Sequence, residues 1–126
     1  MEQLKLGEME QKFAEMIWRL APVKSGELVR RCEDEFGWKK STTFTMLKRL
    51  CERGIFRNDG GTVCTLMTEE EFHAARSEQF VQETYNGSIP LFLAAFTKRR
   101  KLSGREVEEI RQLIDAYDES SNGEGE

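Results

Sequence analysis

The chain has 126 residues, of which 33% are charged and 38% are hydrophobic, as in ordinary soluble globular proteins. No apolar run approaches the ~20 residues that span a bilayer, because the longest, 89–96, contains Pro90. Three cysteines without a CxxC spacing predict neither a disulfide framework nor a zinc site. The N-terminal residues carry acids and lack the apolar stretch of a signal peptide, so we expect a cytoplasmic protein. Together with the cysteine pattern, this favours a chain without a metal or another cofactor.

The net charge of −4 hides an asymmetry between the two halves of the chain. Residues 1–66 have a net charge of +2, whereas residues 67–126 have a net charge of −6. Between residues 38 and 57, six Lys and Arg side chains stand against Glu52 alone. Such a local patch matters more for binding phosphate than the total charge does, although many basic runs are only solvated faces.

Three helices are predicted in the first half of the chain. Apolar residues at helical spacing favour an amphipathic helix over 7–20, which a proline then ends. Ser25 is a natural N-cap for a second helix, which closes at Gly37. The third helix is predicted from about Ser41 to Arg53, with Phe44, Leu47, Leu50 and Cys51 as its buried face.

The hydrophobic period changes after the third helix. Residues 55–58 and 62–66 have the pattern of two short strands, and Asp59-Gly60-Gly61 between them is typical of a tight hairpin turn. Three helices followed by a hairpin is the element order of a winged helix-turn-helix. The predicted fold class is therefore mainly α with a small β-hairpin wing, and the winged-helix domain occupies residues 1–67.

The remainder of the chain is predicted to be helical. Thr68 with Glu71 forms a capping box that begins a fourth helix. Ser88 begins a short apolar helix, and Ser103 with Glu106 forms a second capping box before the last helix. Residues 68–117 are thus a predicted helical segment, and residues 118–126, which are acidic, small and polar, are expected to be a disordered tail.

The third helix is the candidate for contacts with DNA. If its apolar face packs inward, its other face carries hydroxyl groups near its start and cations near its end, a pattern that suits base edges and phosphates in a major groove. The candidate DNA-binding residues are Lys39, Lys40, Ser41, Thr42, Thr43, Thr45, Lys48 and Arg49, with Arg57 in the wing. The alternative is that this helix only supports a core.

The C-terminal helices carry more apolar surface than two short helices can bury alone. That surface either folds back on the winged helix or packs on the same segments of a second chain, as in a two-fold dimer. A dimer fits better, because one domain reads few base pairs and two domains on a palindrome read twice as many. The candidate dimerisation residues are Leu91, Phe92, Phe96, Val107, Ile110, Leu113, Ile114 and Tyr117.

The remaining reactive residue types have ordinary structural explanations. Cys32 and Cys51 fall on predicted buried faces and Cys64 falls in a strand, so we interpret all three as packing residues. His73, the one histidine, lies among glutamates on a predicted helix, where a solvated surface is favoured over a metal site. We find no phosphate-binding glycine loop and no convincing catalytic triad, so the chain is not expected to be an enzyme.

Three motifs together resemble the BlaI/MecI/CopY penicillinase-repressor family. Leu6-Gly7-Glu8-Met9-Glu10 is similar to the start of the first helix of that family. Thr42-x-x-Thr45-x-Leu47-x-Arg49-Leu50-x-x-Arg53-Gly54 resembles its recognition helix and the turn into its wing. Leu102-Ser103-x-x-Glu106-x-x-x-Ile110 resembles its final dimerisation helix, and the resemblance covers roughly residues 6 to 117.

The resemblance implies a homodimeric transcriptional repressor with an N-terminal winged helix and C-terminal dimerisation helices. It implies binding to palindromic operators, often with TACA/TGTA half-sites, and control of resistance or stress-response genes, for example those for β-lactam resistance or copper export. In the resistance systems, signalling by a membrane sensor leads to cleavage of the repressor in its dimerisation region. A regulatory protease is therefore an implied partner.

The chain departs from the family pattern in three places. Lys39 stands where the family often has a helix-capping serine. Ala95-Phe96 aligns with the Asn-Phe bond that is cleaved in the best-known members. No cysteine follows Cys64, which argues against the copper sensing of members with a C-terminal CxC cluster.

Two functions therefore remain open from the sequence. The first is a sequence-specific repressor that binds a palindromic operator as a homodimer. The second is a winged-helix adaptor that binds a protein and has lost DNA binding, for which the acidic second half would be suitable. Thr42, Thr45, Lys48 and Arg49 discriminate the two, because an adaptor has no need to keep these residues together.

Overall fold

The computed structural model describes residues 4–122, with the side chains up to residue 120. The described chain contains six helices and a three-stranded antiparallel sheet, which confirms the predicted fold class. The elements in chain order are α1 (Glu8–Leu20), β1 (Val23–Lys24), α2 (Ser25–Phe36), α3 (Lys40–Glu52), β2 (Phe56–Asp59), β3 (Thr62–Thr65), α4 (Glu69–Tyr85), α5 (Ile89–Arg99) and α6 (Gly104–Asn122).

The three N-terminal helices lie within one or two residues of their predicted bounds. Helix α1 follows Gly7, whose N–H donates to a Glu10 carboxylate oxygen at 2.9 Å. Ser25 is the first residue of α2 rather than its N-cap, a position that Lys24 takes. Gly37 ends α2 with a φ of +68°, a conformation that a residue without a Cβ adopts at little cost.

The sheet contains one strand more than predicted. Its order is β1-β3-β2, with β2 and β3 forming the hairpin and Val23 of β1 pairing with Val63 of β3. A strand of two residues leaves no alternating pattern in a sequence, which is why the strand was not predicted. Its pairing holds the hairpin against the segment that links α1 to α2.

The core of the winged helix combines side chains from α1, α2, α3 and the sheet. Phe13 and Ile17 of α1, Leu28 of α2 and Leu50 of α3 are completely buried, as are Ile55, Phe56 and Val63 around the hairpin. Burial of each such side chain contributes about 1.5–3 kcal/mol before chain entropy is counted. The hairpin is therefore anchored to the helices by its own apolar residues.

Helix α4 packs on the winged helix instead of lying apart from it. Thr68 and Glu71 form the predicted capping box, with hydrogen bonds of 2.9 and 3.1 Å. Phe72, one residue later, is buried in the same core. The described chain divides into two compact units, of which the first includes α4 and ends at Gly87 and the second begins at Ser88.

The second unit consists of α5 and α6. The Ser88 hydroxyl caps α5 by accepting from Leu91 N–H at 3.1 Å. The predicted capping box of α6 is confirmed, since Ser103 N–H donates to Glu106 at 2.9 Å and Glu106 N–H donates to the Ser103 hydroxyl at 3.0 Å. The prediction of a disordered tail is wrong for residues 118–122, which continue α6 because no glycine or proline interrupts them; residues 123–126 lie outside the described residues.

Candidate nucleic-acid interface

Helix α3 is oriented by a narrow buried stripe. Thr43, Leu47 and Leu50, at helical spacing, are at most 2% exposed. Phe44 and Cys51, which were predicted to be buried, are half-buried and flank this stripe on the side of β2. The helix is thus rotated slightly from the predicted orientation, toward the side that packs on α1 and α2.

The opposite face of α3 presents the hydroxyl groups and cations together. The sequence-predicted residues that the structure leaves exposed along the start and outer face of α3 are Lys39, Lys40, Ser41, Thr42, Thr45, Lys48 and Arg49. Glu52 is also exposed on the last turn. The structure therefore brings seven of the nine candidate DNA-binding residues onto one helix and its N-cap, with their side chains open to solvent.

Thr43 is a correction to the predicted set. Its side chain is 1% exposed and faces α2 near Cys32, so it cannot reach DNA without opening the core. The sequence does not distinguish the buried Thr43 from the three exposed hydroxyl residues between 41 and 45. Threonine has a methyl group that can pack in a core as well as a hydroxyl group that can bind DNA. Thr43 contributes to the inner face of α3 rather than to the interface.

The start of α3 is electropositive. The helix begins at Lys40, and its N-cap residue, Lys39, has no side-chain oxygen with which to cap the first-turn N–H groups. The partial positive charge of a helix N-terminus adds to the charges of the two lysines. That combination is suited to a phosphate group, which can accept hydrogen bonds from free backbone N–H groups.

The wing carries the remaining candidate, Arg57. This residue lies opposite Cys64 in the hairpin and is exposed, with a guanidinium nitrogen 3.7 Å from an Asp59 carboxylate oxygen. Both side chains are more than half exposed, so this ion pair is weak and leaves Arg57 free to exchange partners. Arg57 and Lys48 also line the same cleft of about 550 Å³ between α3 and β2, which places a wing cation beside a helix cation.

Lys24 is a further cation near the wing that sequence reasoning missed. It lies on β1, pairs in register with Thr62 of β3 and is exposed. No pattern in the sequence could have placed it there, because the position of Lys24 depends on a strand of two residues. The positive surface beside the hairpin is thus wider than the predicted residues alone indicate.

The comparisons with known proteins identify the family of this chain. A family model described as the penicillinase repressor matches residues 6–116 of the chain. The chain belongs to the penicillinase repressor family. Members of this family are DNA-binding transcription regulators and not enzymes, so this chain is a transcription regulator. Its three N-terminal helices and its hairpin form the winged helix that the resemblance predicts.

Relatives in the family match along most of their length. The chain is similar to the penicillinase repressor of Bacillus licheniformis, with 22% identity over 116 residues, which cover 89% of this chain and 91% of that protein. It is also similar to the methicillin resistance regulatory protein MecI of Staphylococcus aureus, with 23% identity over 109 residues that cover 83% and 89%. The same protein of Mammaliicoccus sciuri is 22% identical over the same number of residues, with the same coverage.

The cysteines and the histidine of this family member occupy ordinary structural environments. Cys32 is buried, and burial raises the pKa of its thiol and that of the half-buried Cys51, so the reactive thiolate form is disfavoured at neutral pH. His73 is exposed on α4, with its Nε2 atom 3.6 Å from Glu69. Within residues 4–122 we find no cluster of three metal-ligating side chains and no helix long and apolar enough to cross a membrane.

The candidate dimerisation residues all lie on the two helices of the second unit. Phe92 and Ile110 are half-buried and line a groove of about 490 Å³ between α5 and α6, and Val107 of α6 is also half-buried. The apolar side chains that remain largely exposed are Leu91 (57%), Phe96 (39%), Leu113 (72%), Ile114 (59%) and Tyr117 (73%). Exposed apolar side chains that lie near one another on two neighbouring helices are a feature of protein–protein interaction surfaces.

Proposed function

We propose that this regulator binds a palindromic operator as a homodimer and represses transcription there. The observation that carries the proposal is the exposed face of α3, on which Thr42, Thr45, Lys48 and Arg49 stand together while Thr43, Leu47 and Leu50 hold the helix in the core. A face with hydroxyl groups and cations on a rigidly packed helix has the composition that duplex DNA requires.

Within each half-site, we assign different roles to the two ends of α3. Ser41, Thr42 and Thr45 near the helix N-terminus have short hydroxyl side chains that suit base edges, and the threonine methyl groups suit the methyl group of thymine. Lys39, Lys40, Lys48 and Arg49 have long flexible side chains that suit phosphates on either side of the groove. Arg57 and Lys24 extend the phosphate contacts on the wing side.

The exposed apolar side chains of α5 and α6 support a two-fold interface. Leu113, Ile114 and Tyr117 are each at least 59% exposed in a single chain, and packing on a second copy would remove them from water. A two-fold interface also places two recognition helices on one palindrome, so that the second half-site is bound at a high effective concentration. Dimerisation thus explains both the apolar surface and the use of a palindrome.

The class of target genes is proposed from the relatives. The matched proteins are named for penicillinase and for methicillin resistance, so we propose resistance or stress-response genes as the targets and the cytoplasm as the location of binding.

Regulation by a protease at Ala95-Phe96 would require α5 to open. This peptide bond lies inside the helix, and the Phe96 carbonyl accepts from Arg100 N–H at 3.1 Å. Proteases act on extended backbone, so cleavage would depend on local unfolding of α5.

The experiment that tests the proposal is a selection from a pool of randomised duplexes, followed by mobility shifts at several salt concentrations. We expect the selected sequences to be palindromic, with TACA/TGTA half-sites as the first duplex to compare. Each phosphate that a cation neutralises should add about −0.9 to the slope of log K against log salt. A pool that yields no common sequence, together with a salt slope near zero, would favour the adaptor function.

A further inference from the structure

Arg53 connects the end of α3 to the start of α1. It is the C-cap residue of α3, and its Nη1 atom lies 3.0 Å from the Lys5 carbonyl oxygen and 3.3 Å from Oε1 of Glu10. The same Glu10 oxygen accepts from Gly7 N–H at 2.9 Å, which is the bond that begins α1. One carboxylate oxygen therefore joins the N-terminus of the first helix to the C-terminus of the third.

This ion pair is better shielded than those on the surface. The side chains of Arg53 and Glu10 are 28% and 13% exposed, whereas those of Arg57 and Asp59 are 58% and 69% exposed. Partial burial reduces screening by water and salt, and each partner makes one further hydrogen bond to a backbone group. This pair is therefore better suited than an exposed surface pair to fix the position of α3 relative to α1.

Arg53 lies between the exposed face of α3 and the start of the hairpin. Arg49, one turn earlier, is on the exposed face of α3, and Ile55, two residues later, is buried and immediately precedes β2. Ile55 N–H donates to the Leu50 carbonyl oxygen at 3.2 Å, so the turn between helix and wing is short and continuous. A shift at Arg53 would move the recognition helix and the wing relative to each other.

We propose that Arg53 is a positioning residue for operator reading, which acts through Glu10 and makes no contact with DNA itself. The inference rests on the proposed function, because it assumes that α3 reads base edges. Base-edge contacts depend on placement to within a fraction of an ångström, whereas attraction between cations and phosphates tolerates small shifts. Loss of the Arg53–Glu10 pair should therefore reduce discrimination between sequences more than it reduces general affinity for duplex DNA.

The test compares Arg53→Gln, Glu10→Gln and the double variant with the wild type. The matched control is Arg19→Gln on α1, which removes an exposed ion pair with Glu35 of α2. The probes are the operator duplex from the selection and a scrambled duplex of the same length. We expect each single variant to lower the operator-to-scrambled affinity ratio about three- to tenfold, the double variant to lower it no further, and the salt slope to stay unchanged.

Two outcomes would overturn the inference. If Arg53→Gln reduces the salt slope by about one and Glu10→Gln does not weaken binding, Arg53 is a phosphate ligand. If both variants lower the melting temperature but keep the wild-type affinity ratio, the pair only stabilises the fold.

Hydrogen exchange of the free protein separates this inference from the proposed function. We expect faster amide exchange over residues 54–57 in both single variants and unchanged exchange there in Arg19→Gln. If amide exchange in Arg53→Gln is unchanged, Arg53 is not a positioning residue, whether or not the wild type prefers one DNA sequence. A wild type without sequence preference contradicts the proposed function instead.

Discussion

The indole Nε1 atom of Trp18 donates a hydrogen bond of 2.8 Å to the carbonyl oxygen of Met67, which lies 49 residues further along the chain. The Trp18 ring also packs on Phe56 of β2 and Phe72 of α4, each with a centroid distance of 5.4 Å. One side chain near the end of α1 thus holds the sheet and the beginning of α4 together. Through it, the winged helix and the helix that follows form a single packed unit.

Trp18→Phe should destabilise the fold, because it keeps an aromatic ring but leaves the part-buried Met67 carbonyl without its donor. We expect a loss of about 1–3 kcal/mol in the free energy of unfolding, measured by urea denaturation. Trp38→Phe is the matched control, since that indole packs on Phe13 and Phe36 instead of donating to Met67. Equal losses in the two variants would show that ring size, and not the hydrogen bond, matters.

Thr45→Ala and Arg49→Ala should weaken operator binding in different ways. Removal of a base-edge contact by Thr45→Ala should cost about 1–3 kcal/mol and relax the preference at one base pair. Removal of a phosphate contact by Arg49→Ala should weaken binding to all duplexes alike and reduce the salt slope by about one. Mobility shifts over a salt series measure both effects, and wild-type affinity in both variants would show that this face does not enter the groove.

The elements that the sequence predicted well are those with a local physical signature. The capping boxes at Thr68 and Ser103 combine two hydrogen bonds within four residues, so the sequence contains all the groups involved. The hairpin was predictable for the same reason, since Gly60 and Gly61 both adopt positive φ angles that a tight turn requires.

The features that sequence reasoning missed depend on tertiary contacts. Thr43 is buried because α3 rotates to fit α1 and α2, and a hydroxyl residue gives no local sign of that rotation. The strand β1 exists only because β3 lies beside it. The sequence placed Arg53 at the end of the third helix but gave no sign of its contacts, because its partners lie 43 and 48 residues away.

Stability should depend on pH through Glu106. Hydrogen bonds from the Ser103 backbone N–H and from Arg100 lower the pKa of this carboxyl from its ordinary value of 4.5. A lowered pKa in the folded state contributes stability that is present above pH 4.5 and is lost as the pH falls through the folded value. Urea denaturation from pH 7 to pH 3 should therefore show Glu106→Gln less stable than the wild type at pH 7, with a difference that shrinks in acid. A difference that stays constant with pH would contradict this role.

Leu113→Asp should separate the proposed dimer into monomers. Leu113 is 72% exposed in one chain and lies on the apolar face of α6, and an unpaired charge in an apolar interface costs several kcal/mol. Sedimentation should show a monomer, and operator affinity should fall because the two half-sites no longer share one association event. Gln112→Asp, next to it on the helix, is the control for added charge. A Leu113→Asp protein that stays dimeric would place the interface elsewhere.

We propose that two copies of α3 read the two halves of one operator. Hydroxyl-radical footprinting of the wild type on the selected operator duplex tests it most directly. We predict two protected blocks related by two-fold symmetry, with their centres about one helical turn, roughly 34 Å, or a multiple of it apart. A single protected block, or two blocks without two-fold symmetry, would contradict the claim.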